Sequence, residues 1–371
     1  MVGPEGSALD AELRAELSAG LRGVVLFARN IEGNVSRFCR EVADARGAGI
    51  LIGIDQEGGR VARLRDGYFV PPPMKTLGDR CSLPTIRRVG TAMGQQLRRV
   101  GINLNFAPVL DVDSNPENPV IGNRSFSGDP RRVAACASAF AAGLQLSGVA
   151  ACGKHFPGHG DTTSDSHLTL PFVEHDSDRL EQIEQLPFRE AIAHDFASLM
   201  TAHVVYRSLD PAAPATLSPT ILEGLLRERL GFRGVVISDD LEMGAITQQH
   251  SLEEAAVAAL IAGVDLLLCC HSPQRVPSVV RAVQDAVTTG ILDEAKLIAA
   301  HRRVDAMADR FSLTSWTADR PAVDEAEVTI QLDREIGAEV EPGNDVDPTN
   351  YMGHRDDGLR CELSEGPLPQ S

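Results

Sequence analysis

Residues 235–243 read VVISDDLEM: four apolar or small residues, then two carboxylates, Asp239 and Asp240, with nothing between. A strand exposed on one face alternates apolar with polar, whereas a continuous run of this kind is expected of a strand buried on both faces in a parallel sheet. The same form recurs in GVVLFARN from Gly23, ILIGIDQEGG from Ile50, INLNFAPVLDV from Ile102, VAACGKHF from Val149, ASLMTAHVVY from Ala197 and VDLLLCC from Val264. Between these runs, apolar residues fall three and four apart at 84–101, 131–148, 217–232 and 251–263. The first two of these helical stretches end in Gly, and the last opens with Ser251 and Glu254 in capping-box spacing. Strand alternating with helix predicts an α/β chain with a parallel sheet.

The polar residues at the ends of the runs choose between a barrel and an open sheet. Arg29 and Asn30, Asp55 to Arg60, Asp111 and Asp113, Lys154 and His155, His203, Asp239 and Asp240, and His271 all stand at C-terminal strand ends. A barrel gathers such ends on one face, where barrel enzymes keep their sites, while an open sheet strings them along an edge. The expected fold is therefore a (β/α)8 TIM-type barrel over residues 1–311. Its N-terminal strand is weak or missing, because MVGPEGSALDAEL carries two glycines and a proline where a strand should stand. Residues 312–371 are expected to be an acidic, partly irregular C-terminal extension.

Composition narrows the function. The chain has 371 residues, 43% hydrophobic and 23% charged, enough material for a large buried core. A formal net charge of −17 argues against nucleic acid, which needs clustered Lys and Arg to displace counterions. No apolar stretch approaches the about 20 residues of a membrane span, and no signal-peptide pattern opens the chain, so a membrane partner is not expected and a cytoplasmic location is. Seven cysteines without CxxC spacing suggest reduced thiols rather than zinc or disulfides.

The chemistry concentrates in two places. KHFPGHGDTTSDSH, residues 154–167, is a polar loop whose Pro157, Gly158 and Gly160 forbid regular structure. Asp165 and His167 stand two apart in it, so in an extended segment the carboxylate can hold one imidazole nitrogen while the other faces a ligand. Such a pairing favours the imidazolium and makes a general acid; the plainer alternative is a solvated polar loop. His155, His159, His167, Asp161 and Asp165 also offer metal-ligand chemistry, with spacing unlike the helical HExxH pattern. Asp239 and Asp240 form the second place: an Asp at a strand end is ordinarily only solvated or a helix cap, but a place at the end of a barrel strand favours a role in the site. Asp55, with Arg60 or Arg63, and Arg124 in GNRSFS, can orient hydroxyl or carbonyl oxygens or simply form ion pairs.

IDQEGGRVARL, NFAPVLDVD, GNRSFS, KHFPGHGDTTSDSH and GVVISDDLEM, in this order, closely resemble the bacterial cytoplasmic β-N-acetylglucosaminidases of glycoside hydrolase family 3. The likeness runs from about Gly23 to Phe311. It implies that Asp239 is the catalytic nucleophile and His167 the general acid/base, with Asp165 as its dyad partner. By the same resemblance Asp55, Arg63, Arg124, Lys154 and His155 bind the N-acetylglucosamine unit, and Asp240 carries no assigned step. The implied reaction is retaining exo-cleavage of terminal β-linked N-acetylglucosamine from muropeptides in cell-wall recycling, with neither metal nor cofactor. The implied partner is a small carbohydrate, and the oligomeric state, a monomer included, stays open. The alternatives are a metal-dependent hydrolase built on the 154–167 loop and a non-catalytic sugar-binding barrel.

Overall fold

The structure, a computed structural model, describes residues 1–162, 170–313 and 322–337. All seven apolar runs form strands: β1 (Gly23–Leu26), β2 (Leu51–Ile54), β3 (Leu104–Asn105), β4 (Ala150–Phe156), β5 (Ser198–Thr201), β6 (Val235–Asp240) and β7 (Leu266–Leu268). They pair in sequence order, every neighbour parallel, in one seven-stranded sheet. Helices fill the connections where the spacing predicts them, among them Leu83–Arg99, Pro130–Leu146 and Leu252–Ala262. The capping box forms: Ser251 Oγ accepts from the Glu254 amide, Glu254 returns the bond to the Ser251 amide, and Gly263 ends the helix at φ +111°.

The sheet curls until its two outer strands meet the same short segment. Val2 bridges in parallel to Val24 of β1 and to Cys269 just past β7. Val2 N–H donates to Gly23 O (3.2 Å), Val25 N–H to Val2 O (2.8 Å), and Cys269 N–H to Met1 O (3.0 Å). One bridging residue stands where the sequence left a strand in doubt, because Gly3, Pro4 and Gly6 follow and a proline has no N–H for a ladder.

Alternation sorts the strand side chains onto two faces. Val25, Leu51, Leu104, Phe106, Ala150, Cys152, Met200, Val235, Ile237, Leu266 and Leu268 form an inner cluster. It is closed at one end by Val304, Met307, Ala308 and Phe311, from the helix Glu294–Arg310 and its cap. Their neighbours Val24, Leu26, Ile52, Ile54, Ala151, Leu199 and Val236 join the larger cluster shared with the helices. Each such large side chain contributes about 1.5–3 kcal/mol on burial. Helices Leu83–Arg99 and Pro130–Leu146 cross at backbone contact: a Cβ on Gly90 would lie 2.2 Å from Phe140 O, and one on Gly143 2.2 Å from Arg87 O.

Part of the C-terminal extension is helical. Asp324 caps a helix, Glu325–Ile336, that buries Val328 and Leu332. Four-residue spacing puts both on one face. Glu335 accepts from Ser82 N–H (2.8 Å) and Thr85 Oγ1 (2.6 Å), and Arg88 pairs with Glu327 at 3.1 Å. Among the described residues no helix is long and apolar enough to cross a membrane, and the six cysteines there are free and buried.

Candidate active site

Period-two alternation carries polar groups from the inner cluster into a cleft. Leu51, Gly53 and Asp55 follow one another on the inner face of β2, Ala150, Cys152 and Lys154 on β4, and Val235, Ile237 and Asp239 on β6. The third of each series stands at a C-terminal strand end. There the cleft is lined by Phe27, Asp55, Arg63, Arg124, Lys154, His155, His159, Asp239, Asp240 and His271, over an apolar floor that includes Val25, Phe106, Met200 and Leu268.

One wall is a chain of ion pairs. Lys154 Nζ lies 2.7 Å from Asp55 Oδ1 and 2.7 Å from Glu57 Oε1, and Arg63 Nη2 is 3.6 Å from Asp55 Oδ2. Arg124 grips Glu57 with two bonds, Nε to Oε2 at 3.0 Å and Nη2 to Oε1 at 2.8 Å. Burial alone would raise the Glu57 carboxyl, but Arg124 and Lys154 overcome it and hold the group far below the usual range. Burial likewise opposes the charge on Lys154 and Arg124, and their carboxylate partners raise both. Asp55 is the most exposed member, at 18%, so the chain offers a carboxylate and a cation at the cleft and keeps the Glu57 pair beneath. Fixed charges at this spacing suit a polyhydroxyl ligand.

A second network orients the histidines. Asp111 is fully buried, bonds His155 Nδ1 at 2.7 Å and accepts the backbone N–H of His159 at 2.6 Å. Burial pushes Asp111 up, and His155 and His159 bring it below its ordinary value. His159 goes the other way: burial first, then the neighbouring His155, lowers it to about 4. Burial also lowers His203, whose Nδ1 meets Thr216 Oγ1 at 2.7 Å. Neutral imidazoles therefore back the cleft, and His155 turns its ring between Asp111 and the ligand space.

The two aspartates at the end of β6 divide. Asp240 Oδ1 accepts from Cys270 N–H (3.1 Å) and Glu242 N–H (3.2 Å), and its Oδ2 meets His271 Nε2 at 3.0 Å. Asp239 lines the cleft, half-buried, with one oxygen receiving the Asp240 amide at 2.8 Å. Asp240 fastens one strand end to the next, while Asp239 faces the ligand space. Asp55, Arg63, Arg124, Lys154 and His155 share that cleft. Arg60 instead donates to Val120 O at 2.8 Å. Asp161, grouped in sequence with the loop histidines, bonds His175. Asp165 and His167 lie outside the described residues.

The family model of the glycosyl hydrolase family 3 N-terminal domain matches residues 8–307. The chain belongs to glycosyl hydrolase family 3. A β-hexosaminidase of Methylococcus capsulatus is 37% identical over 334 residues, which cover 87% of this chain and 96% of the relative. A β-hexosaminidase of Nitrosomonas eutropha is 39% identical over 300 residues, covering 78% and 86%. Among solved structures, a family 3 β-N-acetylglucosaminidase from Paenibacillus superposes with a TM-score of 0.85 at 37% identity, over 90% of this chain and 66% of that one. The β-N-acetylhexosaminidase of Beutenbergia cavernae gives 0.77 at 32% identity, over 83% and 96%.

Within this family 3 cleft, sequence reasoning missed Glu57, Asp111 and His271 as site-building groups, and it singled out Asp240 without giving it a role. Glu57 had a usable signal, since it stands two positions after Asp55. Asp111 and His271 were visible only as polar strand ends, because the partners that give them a role come from other strands.

Proposed function

We propose that this family 3 glycoside hydrolase is a retaining exo-β-N-acetylglucosaminidase. The β-N-acetylhexosaminidase class agrees with the relatives, and the observation that carries the finer reading is Asp239 facing one cleft with Asp55, Arg63, Arg124, Lys154 and His155. The fold is the (β/α)8 barrel of residues 1–311, with Val2 and its neighbours in the eighth strand position; the Val2 bonds to both outer strands support this. Residues 312–371 are an extension to that domain.

Asp55, Lys154 and Arg63 grip the hydroxyls of the terminal sugar, Arg124 positions that wall, and His155 adds a directed ring nitrogen. Asp239 attacks the anomeric carbon through an oxocarbenium-like transition state, and the glycosyl–aspartate bond forms as the glycosidic C–O bond breaks. His167, with Asp165 as its partner, protonates the departing oxygen, then takes a proton from the water that releases the sugar with retained configuration. An imidazole in place of the usual second carboxylic acid accounts for the polar loop that carries it. The substrate class is N-acetylglucosamine-terminated cell-wall fragments, and the setting is the cytoplasm.

The test is mass spectrometry after incubation with a 2-acetamido-5-fluoro glycosyl fluoride. Label on the peptide containing Asp239 is expected, together with loss of turnover in Asp239→Ala while N-acetylglucosamine still binds. Label on another carboxylate, or activity abolished by EDTA and restored by zinc, would overturn the reading.

A further inference from the structure

The stretches on either side of the segment proposed to carry the acid are separately anchored. Upstream, Asn118 Nδ2 donates to His159 O (2.8 Å), Gly160 O (3.0 Å) and Thr162 Oγ1 (3.3 Å). A Cβ on Gly160 would sit 1.7 Å from Val112 O, so the backbone there is pressed against its neighbour. Downstream, Phe172–Val173 pairs in parallel with Val205–Tyr206, and Ser208 Oγ donates to His175 O at 2.6 Å.

One side-chain contact ties these ends directly. His175 Nε2 meets Asp161 Oδ2 at 2.5 Å, across 14 positions of chain. His167 falls between them, six positions after Asp161 and eight before His175 (167 − 161 and 175 − 167). Arg179 backs the pair, with Nη2 3.7 Å from Asp161 Oδ2 and 3.2 Å from Glu184 Oε1. Glu184 is 1% exposed, and Gly158 folds against it closely enough that a Cβ there would lie 2.7 Å from Glu184 Cβ. Asp161, His175 and Glu184 have the donor chemistry of a divalent-cation site. The Arg179 guanidinium already sits between the two carboxylates, so the chain supplies its own cation there.

We propose that the Asp161–His175 hydrogen bond is a positioning clasp that fixes the separation of the two ends of the acid-bearing segment; this rests on His167 being the general acid. With side chains 20% and 33% exposed, the pair contributes only about 0–1 kcal/mol to stability. Its effect is on geometry, where a displacement of about 1 Å at a catalytic group costs on the order of 100-fold in rate. The step concerned is transfer of the imidazolium proton to the glycosidic oxygen as the C–O bond breaks. Loss of the clasp therefore weakens catalysis in proportion to how much the leaving group needs that proton.

The experiment compares kcat and KM for an alkyl and a 4-nitrophenyl N-acetyl-β-glucosaminide in Asp161→Ala, His175→Ala, the double variant and His175→Gln, with His167→Ala as reference. Each single variant is expected to lose about 10- to 100-fold in kcat on the alkyl glycoside, with KM and aryl turnover within about threefold of the parent. The double variant loses no more than either single one, and His175→Gln, which keeps a donor, recovers most of the rate. Should an alanine variant fail to fold, His175→Phe and Asp161→Leu, which fill the space and remove the donor and the acceptor, carry the same comparison. Equal losses on both substrates, or additive losses in the double variant, overturn the clasp. If His167→Ala discriminates between the substrates and the clasp variants do not, the clasp alone falls; if His167→Ala does not discriminate, the acid assignment falls and takes the clasp with it.

Discussion

Arg124 and Glu57 meet face to face, two guanidinium nitrogens on two carboxylate oxygens at 3.0 and 2.8 Å, with side chains 5% and 1% exposed. A pair this deep gains little net stability, since desolvation offsets most of the attraction, but removing one partner strands the other. Glu57→Ala leaves Arg124 and Lys154 short of a counter-charge at once. Urea unfolding should show a loss of about 3–5 kcal/mol. A loss below about 1 kcal/mol would mean that water or Asp55 replaces Glu57 without penalty.

Acid should unfold the protein in two stages, the first owed to histidine. In the folded state His159 is lowered to about 4 from 6.5, so the unfolded chain binds more protons between those values. That contribution is complete above 6.5 and disappears as pH falls toward 4, a span worth on the order of 3 kcal/mol. His203 shifts in the same direction. Glu57 and Asp111 are held below their ordinary values, so their share is intact above the usual carboxylate range and is lost below it. Urea midpoints at pH 7.5, 6 and 5 should fall steadily, and His159→Gln should flatten that decline. Midpoints unchanged down to pH 5 would contradict the buried neutral imidazole.

Adjacent aspartates on β6 should separate in mutants. Asp240 holds the Cys270 and Glu242 amides, so Asp240→Ala leaves backbone donors unpaired and should cost about 1–3 kcal/mol in melting experiments while residual turnover survives. Asp239→Ala should melt near the parent and lose about 10⁴-fold or more in kcat on an aryl glycoside. The reverse pattern, with Asp240 indispensable to turnover and Asp239 to folding, would exchange their roles.

Much of this was legible in sequence because each strand carries its own evidence. The run VVISDD states that it is buried on both faces and that carboxylates follow, but either aspartate could face inward on that evidence; family resemblance singled out Asp239, and the structure sets it in line with Val235 and Ile237 of the inner cluster. Asp55 and Lys154 stood out as polar strand ends and by the same resemblance. Glu57, Asp111 and His271 showed only as polar groups at strand ends and not in their roles, since each acts through a partner on a different element: Arg124, His155 and Asp240. The Val2 bridge was hidden for a related reason. One residue has no periodicity, and only the meeting of β1 with the end of β7 makes it part of the sheet.

The helix Glu325–Ile336 gives a last test, of whether residues beyond Phe311 belong to the catalytic machinery. It buries Val328 and Leu332, and none of its residues lines the cleft. Only these two side chains of the helix are buried, and the cost of ordering the backbone that carries them offsets much of what they contribute. The net effect of removing it should therefore be small. A chain ending at Leu313 should melt a few degrees lower, by about 1–3 kcal/mol, and keep kcat and KM for an aryl N-acetyl-β-glucosaminide within about twofold. Glu335→Ala in the full chain should reproduce a fraction of that loss, because it frees Ser82 N–H and the Thr85 hydroxyl. A folded shortened chain that lost about tenfold or more in kcat would instead make the extension a working part of the active site, reaching the cleft from the outer wall.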